Sequence, residues 1–247
     1  LLNLNIFIVF FIIFSFKTFK MICILQVRSS SKRLKNKANL TINKKKLIEL
    51  LLERLLMSKS ISKVIIATSL DNKDKIFLKY KKKNSIFVYR GSLKNVYQRY
   101  LDTLKKYKSG YFLRICGDSP YLDYRLIDNA YKIFNLHKPD LVTNTFERTY
   151  PKGQSIEIIK TKTFVNNYKY VKSSNFFKEH VTQFFYKNSK KFNIINFKYS
   201  KNLSNYNLSV DTNSDLNMLR KISTGYKNNF RWETILNRYV KLNKINL

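Results

Sequence analysis

Between residues 22 and 143 the sequence alternates short apolar, β-branched runs with longer stretches of helical spacing, and few architectures accept that alternation. Residues 22–26 (ICILQ) read as a buried strand, and 47–59 (LIELLLERLLMSK) as a helix with leucines on one face and Glu49, Glu53 and Arg54 on the other. Residues 63–68 (KVIIAT) form the next strand, and Asp71 is placed to cap a helix reaching about Lys82. A strand over 85–89, a helix over 93–108, a strand over 111–115, a helix over 123–136 and a short strand over 141–143 complete the series. Such a series predicts an α/β fold: a mainly parallel sheet with helices on both faces, and ligands at the carboxyl ends of the strands.

The loops at those ends carry the chemistry. The first strand runs into Arg28, three serines, Lys32, Arg33, Lys35 and Lys37. Backbone N–H groups, hydroxyls and cations gathered there suit a phosphate group, although taken alone the stretch reads more readily as a basic surface turn. The strand over 111–115 is broken by Cys116-Gly117-Asp118-Ser119-Pro120. Neither a Gly-rich dinucleotide fingerprint nor a P-loop is present. The second half is less regular. A strand over 156–160, a helix over 176–187, a strand over 193–197, a strand-like 207–210 ending at Asp211, a helix over 213–223 capped by Asn213 or Ser214, and a helix over 231–241 are expected. With no Pro/Gly-rich linker and no repeat, residues 21–247 read as one domain.

Charge enters where a partner must be chosen. The chain has 48 Lys and Arg against 15 Asp and Glu, a formal charge of +33, which suggests a polyanion partner. The lysines are spread evenly, however, and accompany abundant Asn, Ile, Phe and Tyr, a pattern that A/T-biased coding also produces. A nucleic-acid binder would interleave aromatics with cations on one exposed surface, whereas the aromatics here fall mostly at core-facing positions. No specific nucleic-acid partner is expected. Cys23 and Cys116 lie unpaired in apolar runs, and His137 and His180 are far apart, so neither a disulfide framework nor a histidine metal cluster is predicted. Residues 1–20 are apolar but short for a membrane span, lack a signal-peptide layout and precede Met21. They read as a dispensable extension or mis-assigned start, with a membrane anchor as the lesser reading, so a cytoplasmic protein without stable membrane insertion is expected.

Against so few acids, an aspartate at a strand end is informative. Asp118 follows one strand and Asp211 another, and two such carboxylates suit an octahedral Mg²⁺ completed by phosphate oxygens and water. An Asx-type turn at Asp118 and a helix N-cap at Asp211 remain open on the same residues.

The ordered blocks QVRSSSKRLKNK, RICGDSPYLD, EHVTQFFYKN and LSVDTNSDL resemble those of the spore-coat polysaccharide cytidylyltransferase family, related to the CMP-KDO and CMP-acylneuraminate synthetases. The resemblance spans about residues 21–239. It implies a Rossmann-like nucleotidyltransferase (nucleotide-diphospho-sugar transferase) fold that moves CMP from CTP to an acidic sugar, KDO-like or nonulosonic, with release of pyrophosphate for surface-glycan biosynthesis. By the same resemblance Arg28, Ser31, Arg33 and Lys37 grip the triphosphate, and Asp118 and Asp211 hold Mg²⁺. Arg90, Ser92, Asn95 and Arg99 fall near the base and ribose, and Arg114 points into the same crevice. The stretch from Tyr150 to Glu157, with Glu179 and His180, falls on the sugar side, and a homodimer is expected. Three departures stand out: Ser30 where the family has glycine, Lys35-Asn36 where it has Pro-Gly, and Ser155 where it has Asp. A nucleotide-sugar glycosyltransferase of the same fold is the nearest competing reading, but its usual Asp-x-Asp motif is missing.

Overall fold

The computed structural model describes residues 20–30, 34, 36–82 and 85–243. Its centre is β1 (Met21–Gln26), buried along nearly its whole length. A small hairpin, β2 (Thr41–Ile42) and β3 (Lys45–Lys46), turns through Asn43 and Lys44, both at positive φ, and leads into α1 (Leu47–Met57). Next come β4 (Ile61–Ser69), a 3₁₀ helix (Asn72–Tyr80), β5 (Ile86–Gly91), α2 (Val96–Lys106), β6 (Tyr111–Cys116) and α3 (Tyr124–His137). β7 (Leu141–Thr143) and β8 (Glu157–Lys160) precede four short helices, α4 (Thr161–Asn166), α5 (Tyr168–Val171), α6 (Asn175–Glu179) and α7 (Gln183–Lys187). β9 (Ile194–Asn196), α8 (Asn213–Ser223) and α9 (Trp232–Leu242) close the described chain.

Among the described residues the main sheet has the order β5, β4, β1, β6, β8, β7, β9. β1 is parallel to β4 and β6, β4 to β5, and β7 to β9, while β8 runs antiparallel to both β6 and β7. The mainly parallel sheet expected from the sequence is therefore present. Period-two alternation splits the side chains of β1 between two cores. Cys23 and Leu25 pack with α1, the 3₁₀ helix and α3 on one face, and Ile22 and Ile24 pack with α2, α4 and α7 on the other. A third core joins Tyr121 and Tyr150 to α8 and α9.

Several local expectations change. The segment after Asp71 is 3₁₀ rather than α and ends at Tyr80, although Asp71 does accept from Lys73 N–H as an N-cap. Helix α2 starts three residues later than expected, where Asn95 accepts from Gln98 N–H. The single helix expected over 176–187 is two, broken at His180–Thr182, and α4 and α5 were not anticipated. Residues 207–210 are not a strand: Asn207 makes one isolated bridge to Lys152, and its side chain instead takes both Ser209 N–H and Oγ–H. The cap of α8 is Thr212, paired with Asp215 in a capping box, rather than Asn213 or Ser214. Arg54, expected on the solvent face of α1, is fully buried and donates to the carbonyls of Leu122, Asn228 and Phe230. No described helix is long and apolar enough to cross a membrane, and residues 1–19 lie outside the described part.

Candidate active site

The connection from β1 to β4 runs over one face of the sheet and that from β5 to β6 over the other, so the strand order turns between β1 and β6. At such a switch point the loops diverge and leave a crevice at the carboxyl ends of the strands. A cleft of about 410 Å³ lies there, lined by Gln26, Val27 and Arg28 from the end of β1 and by Cys116, Gly117 and Asp118 from the end of β6. The two loops touch closely. Gly117 N–H donates to Gln26 O at 2.9 Å, and a Cβ on Gly117 would lie 2.9 Å from Val27 Cγ2.

Lys37 sits at the centre. Its Nζ donates to Asp211 Oδ1 at 3.1 Å, to Val210 O at 3.1 Å and to Asp118 Oδ2 at 3.4 Å. Val210 N–H donates to Asp118 O at 2.8 Å, which locks the two aspartate loops together. Thr212, not Asp211, caps α8, and the Asp118 carboxylate accepts from the Lys37 and Ser119 side chains. Both carboxylates keep about a quarter of their surface in solvent, 28% and 27%. Among the described residues no third His, Cys, Asp or Glu joins them. A pair of hard oxygen donors with open sides fits a divalent cation that takes its other ligands from phosphate and water.

The remaining predicted residues divide. Arg28 lines the cleft and pairs with Glu179 Oε1 at 3.1 Å, bridging the β1 loop to α6. Arg114 lines it too, bonded to Glu157 and reaching Gln26 Oε1 at 3.4 Å. Arg90, Ser92, Asn95 and Arg99 are not among its lining residues. Arg90 instead donates to the carbonyls of Ser69, Leu70 and Asp71. The Ser92 and Asn95 side chains accept from the start of α2, and fully buried Arg99 donates to Ser92 O. Ser31 and Arg33, with Lys35, lie outside the described residues. Asn36 occupies the left-handed region at φ 55°, which asparagine tolerates, and Ser30 is not at positive φ.

A second cleft of about 350 Å³ adjoins the first and shares Arg114, Cys116, Asp118, His180 and Asp211 with it. The break between α6 and α7 delivers His180 to both clefts, its ring packed 4.7 Å from that of Phe176. The floor is Glu157, which opens β8 and faces Arg114 across the antiparallel pair. Burial opposes its charge, but Arg114 and the hydroxyls of Tyr186 and Thr182 outweigh that and hold its carboxyl below the usual value. Sequence reasoning missed Arg148 and Tyr186 in this wall. It also missed Asp74, buried behind the β1 loop, whose carboxylate accepts from Ser29 N–H at 2.7 Å and Ser69 Oγ–H at 2.5 Å.

With that geometry in place, the comparison with known proteins is direct. Residues 22–244 match the family model described as cytidylyltransferase. The chain belongs to the cytidylyltransferase family. Over 205 residues, 81% of this chain, it is 31% identical to an uncharacterized protein of Methanocaldococcus jannaschii, covering 81% of that protein. Over 205 residues it is 23% identical to the spore coat polysaccharide biosynthesis protein SpsF of Bacillus subtilis, covering 81% of this chain and 84% of SpsF. Among solved structures, a cytidylyltransferase from Leptospira borgpetersenii superposes with a TM-score of 0.82 at 28% identity, covering 91% of this chain and 95% of that one. A CMP-2-keto-3-deoxy-manno-octonic acid synthetase complexed with CTP shares the fold, with a TM-score of 0.61 at 16% identity, covering 82% of this chain and 98% of that one. The Rossmann-like nucleotidyltransferase fold implied by the sequence blocks is thus the fold of this cytidylyltransferase.

Proposed function

We propose that this cytidylyltransferase transfers CMP from CTP to a hydroxyl of an acidic sugar, of KDO or nonulosonic type, for surface-glycan biosynthesis in the cytoplasm. The observation that carries the reading is the convergence of Lys37, Asp118 and Asp211 at the switch point between β1 and β6. The acceptor oxygen attacks the α-phosphorus in line, the bond to the β-phosphate oxygen breaks, and pyrophosphate leaves with that electron pair while the hydroxyl proton passes to solvent. Asp118 and Asp211 would hold Mg²⁺, which supplies charge neutralisation on the phosphates when bound.

The chain's own residues do the rest. Lys37 neutralises charge on the leaving pyrophosphate, and Arg28, Arg33 and Ser31 extend that grip along the β1 loop. Asp74 holds the base of the loop through Ser29. Arg90, Ser92, Asn95 and Arg99 brace the turn after β5 on the nucleoside side. Beyond the aspartates, the second cleft takes the acceptor.

Pyrophosphate release from CTP in the presence of 3-deoxy-manno-octulosonic acid or N-acetylneuraminic acid tests this. Release is expected with Mg²⁺ and CTP, and a drop of roughly a hundred- to a thousandfold in Asp118→Ala. Equal release in the variant, or no release with either acid, would contradict the assignment.

A further inference from the structure

The edge of the sheet opposite the two clefts is a cationic surface. β1, β4, β6 and β7 begin there, and β8 ends there with Lys160 paired to Tyr111. A groove of about 380 Å³ at the start of β1 and β6 is lined by Lys20, Lys63, Lys106 and Lys108. A second hollow, of about 360 Å³, lies at the end of β8 and carries Lys160, Lys162 and Lys191. Among the described residues no carboxylate forms an ion pair with any of these ammonium groups. Asp128 and Asp140 stand at the same edge but are committed locally. Asp128 accepts from the Ser58 and Ser60 hydroxyls, and Asp140 accepts from the Thr163 hydroxyl and from Asn193 N–H.

Apolar side chains accompany the lysines. Helices α1 and α3 pack on one face of the sheet and end at this edge. Their last turns leave Leu56, Met57 and Leu136 exposed, Leu136 at 77%. Ammonium groups clustered without counter-ions repel one another, and an anionic surface relieves that repulsion. An anionic bilayer does so while also taking apolar side chains in below its headgroups, which a soluble polyanion does not offer. The sequence points the same way. Residues 4–16 are apolar apart from Asn5 and Ser15, and the chain reaches the sheet at Lys20, on this edge.

We propose that the edge at which β1, β4 and β6 begin is a docking surface for an anionic lipid bilayer. The lysines hold it reversibly against the headgroups, Leu56, Met57 and Leu136 enter shallowly, and the clefts at the opposite ends of the strands face solvent. The proposal stands apart from the transferase reading, since none of these residues lines either cleft.

The test is co-sedimentation of the full chain with phosphatidylcholine vesicles, plain or containing about one-third phosphatidylglycerol, at low and moderate salt. Wild type is compared with the triple variant Lys63→Gln/Lys106→Gln/Lys108→Gln, with Met57→Ser/Leu136→Ser, and with a control, Lys201→Gln/Lys221→Gln/Lys241→Gln, whose exposed lysines lie in and before α8 and α9. The edge triple is expected to weaken partition onto anionic vesicles roughly ten- to a hundredfold, and the control by no more than about twofold. Met57→Ser/Leu136→Ser should weaken it severalfold at both salt concentrations, because apolar burial is not screened. All variants should melt with wild type, since every substituted side chain is exposed. Equal losses in the edge triple and the control would mean generic attraction of a basic chain and would overturn the proposal. Binding to plain and anionic vesicles alike, unchanged in the edge triple, would assign the contact to residues 1–19 and overturn it too. An edge triple that loses a single-stranded RNA oligonucleotide but no lipid would replace the bilayer with a nucleic acid.

Discussion

Glu157 is 3% exposed and still ionised, because Arg114 faces it across the β6–β8 pair and Tyr186 donates to it from α7. Its folded pKa lies below the ordinary 4.5, so the stability it contributes is complete above about pH 4.5 and is lost as pH falls through that lower folded value. Glu157→Gln leaves Arg114 buried without its counter-charge and is expected to lower stability by about 3–5 kcal/mol at pH 7. Urea unfolding of wild type and variant between pH 3 and 7 checks this: the gap should close at the acid end, and a pH-independent gap would contradict the assignment. At this scale legibility follows sequence distance. Asp118 and Asp211 stood out because acids are scarce and both sit where strand-like runs end. Asp74, Arg148 and Tyr186 did not, because their meaning lies in Ser29, Ser155 and Glu157, partners that no helical or strand periodicity links to them. Arg54 misled for the same reason. Its three acceptors come from residues 122, 228 and 230, which no helical wheel of α1 reveals.

Two irregular segments, rather than any helix or strand, hold the Asp211 side of the site. Leu208 N–H donates to Lys152 O at 2.8 Å, Lys152 N–H to Tyr206 O at 2.9 Å, and Gly153 sits between at φ +93°. A Cβ on Gly153 would lie 2.6 Å from the Leu208 carbonyl carbon, so the segments approach this closely only at glycine. Gly153→Ala is expected to cost about 2–4 kcal/mol and to move the Asp211 loop, lowering kcat more than a core substitution of equal destabilisation such as Leu113→Ala. Chemical denaturation beside steady-state rates separates the two; a kcat loss no greater than in the stability-matched variant would show that the turn does not position Asp211. The regular elements around these segments followed from periodicity, since β1, β4, β6, α1 and α3 each present a continuous apolar face. The pattern over 176–187 looked like one helix because Phe177, Phe184 and Phe185 fit a helical stripe. Burial of Val181 and Thr182 between α6 and α7 instead turns the chain there and brings His180 to the cleft.

On the scale of the whole molecule the sheet order explains why residues as distant as Lys37, Asp118 and Asp211 converge. The crossover reverses between β1 and β6, and the loops leaving those strands meet at Gly117 and again where Lys37 reaches Asp118. The alternation of strands and helices made that architecture readable, whereas the antiparallel insertion of β8, which puts Glu157 at the crevice, carries no sequence signature of its own. The formal charge of +33 does not set the fold, but it makes generic attraction to polyanions the background against which a specific nucleotide site must be measured. The decisive measurement is thermal unfolding with Mg²⁺ and CTP, UTP, ATP or GTP at moderate salt, beside Asp118→Ala. Binding to the folded state raises the melting temperature by mass action, about 2.7 kcal/mol of stabilisation at a hundredfold excess over Kd. A shift selective for Mg–CTP that survives salt and disappears in Asp118→Ala is the predicted result. Equal shifts with all four nucleotides, abolished by salt and untouched by the substitution, would contradict the account.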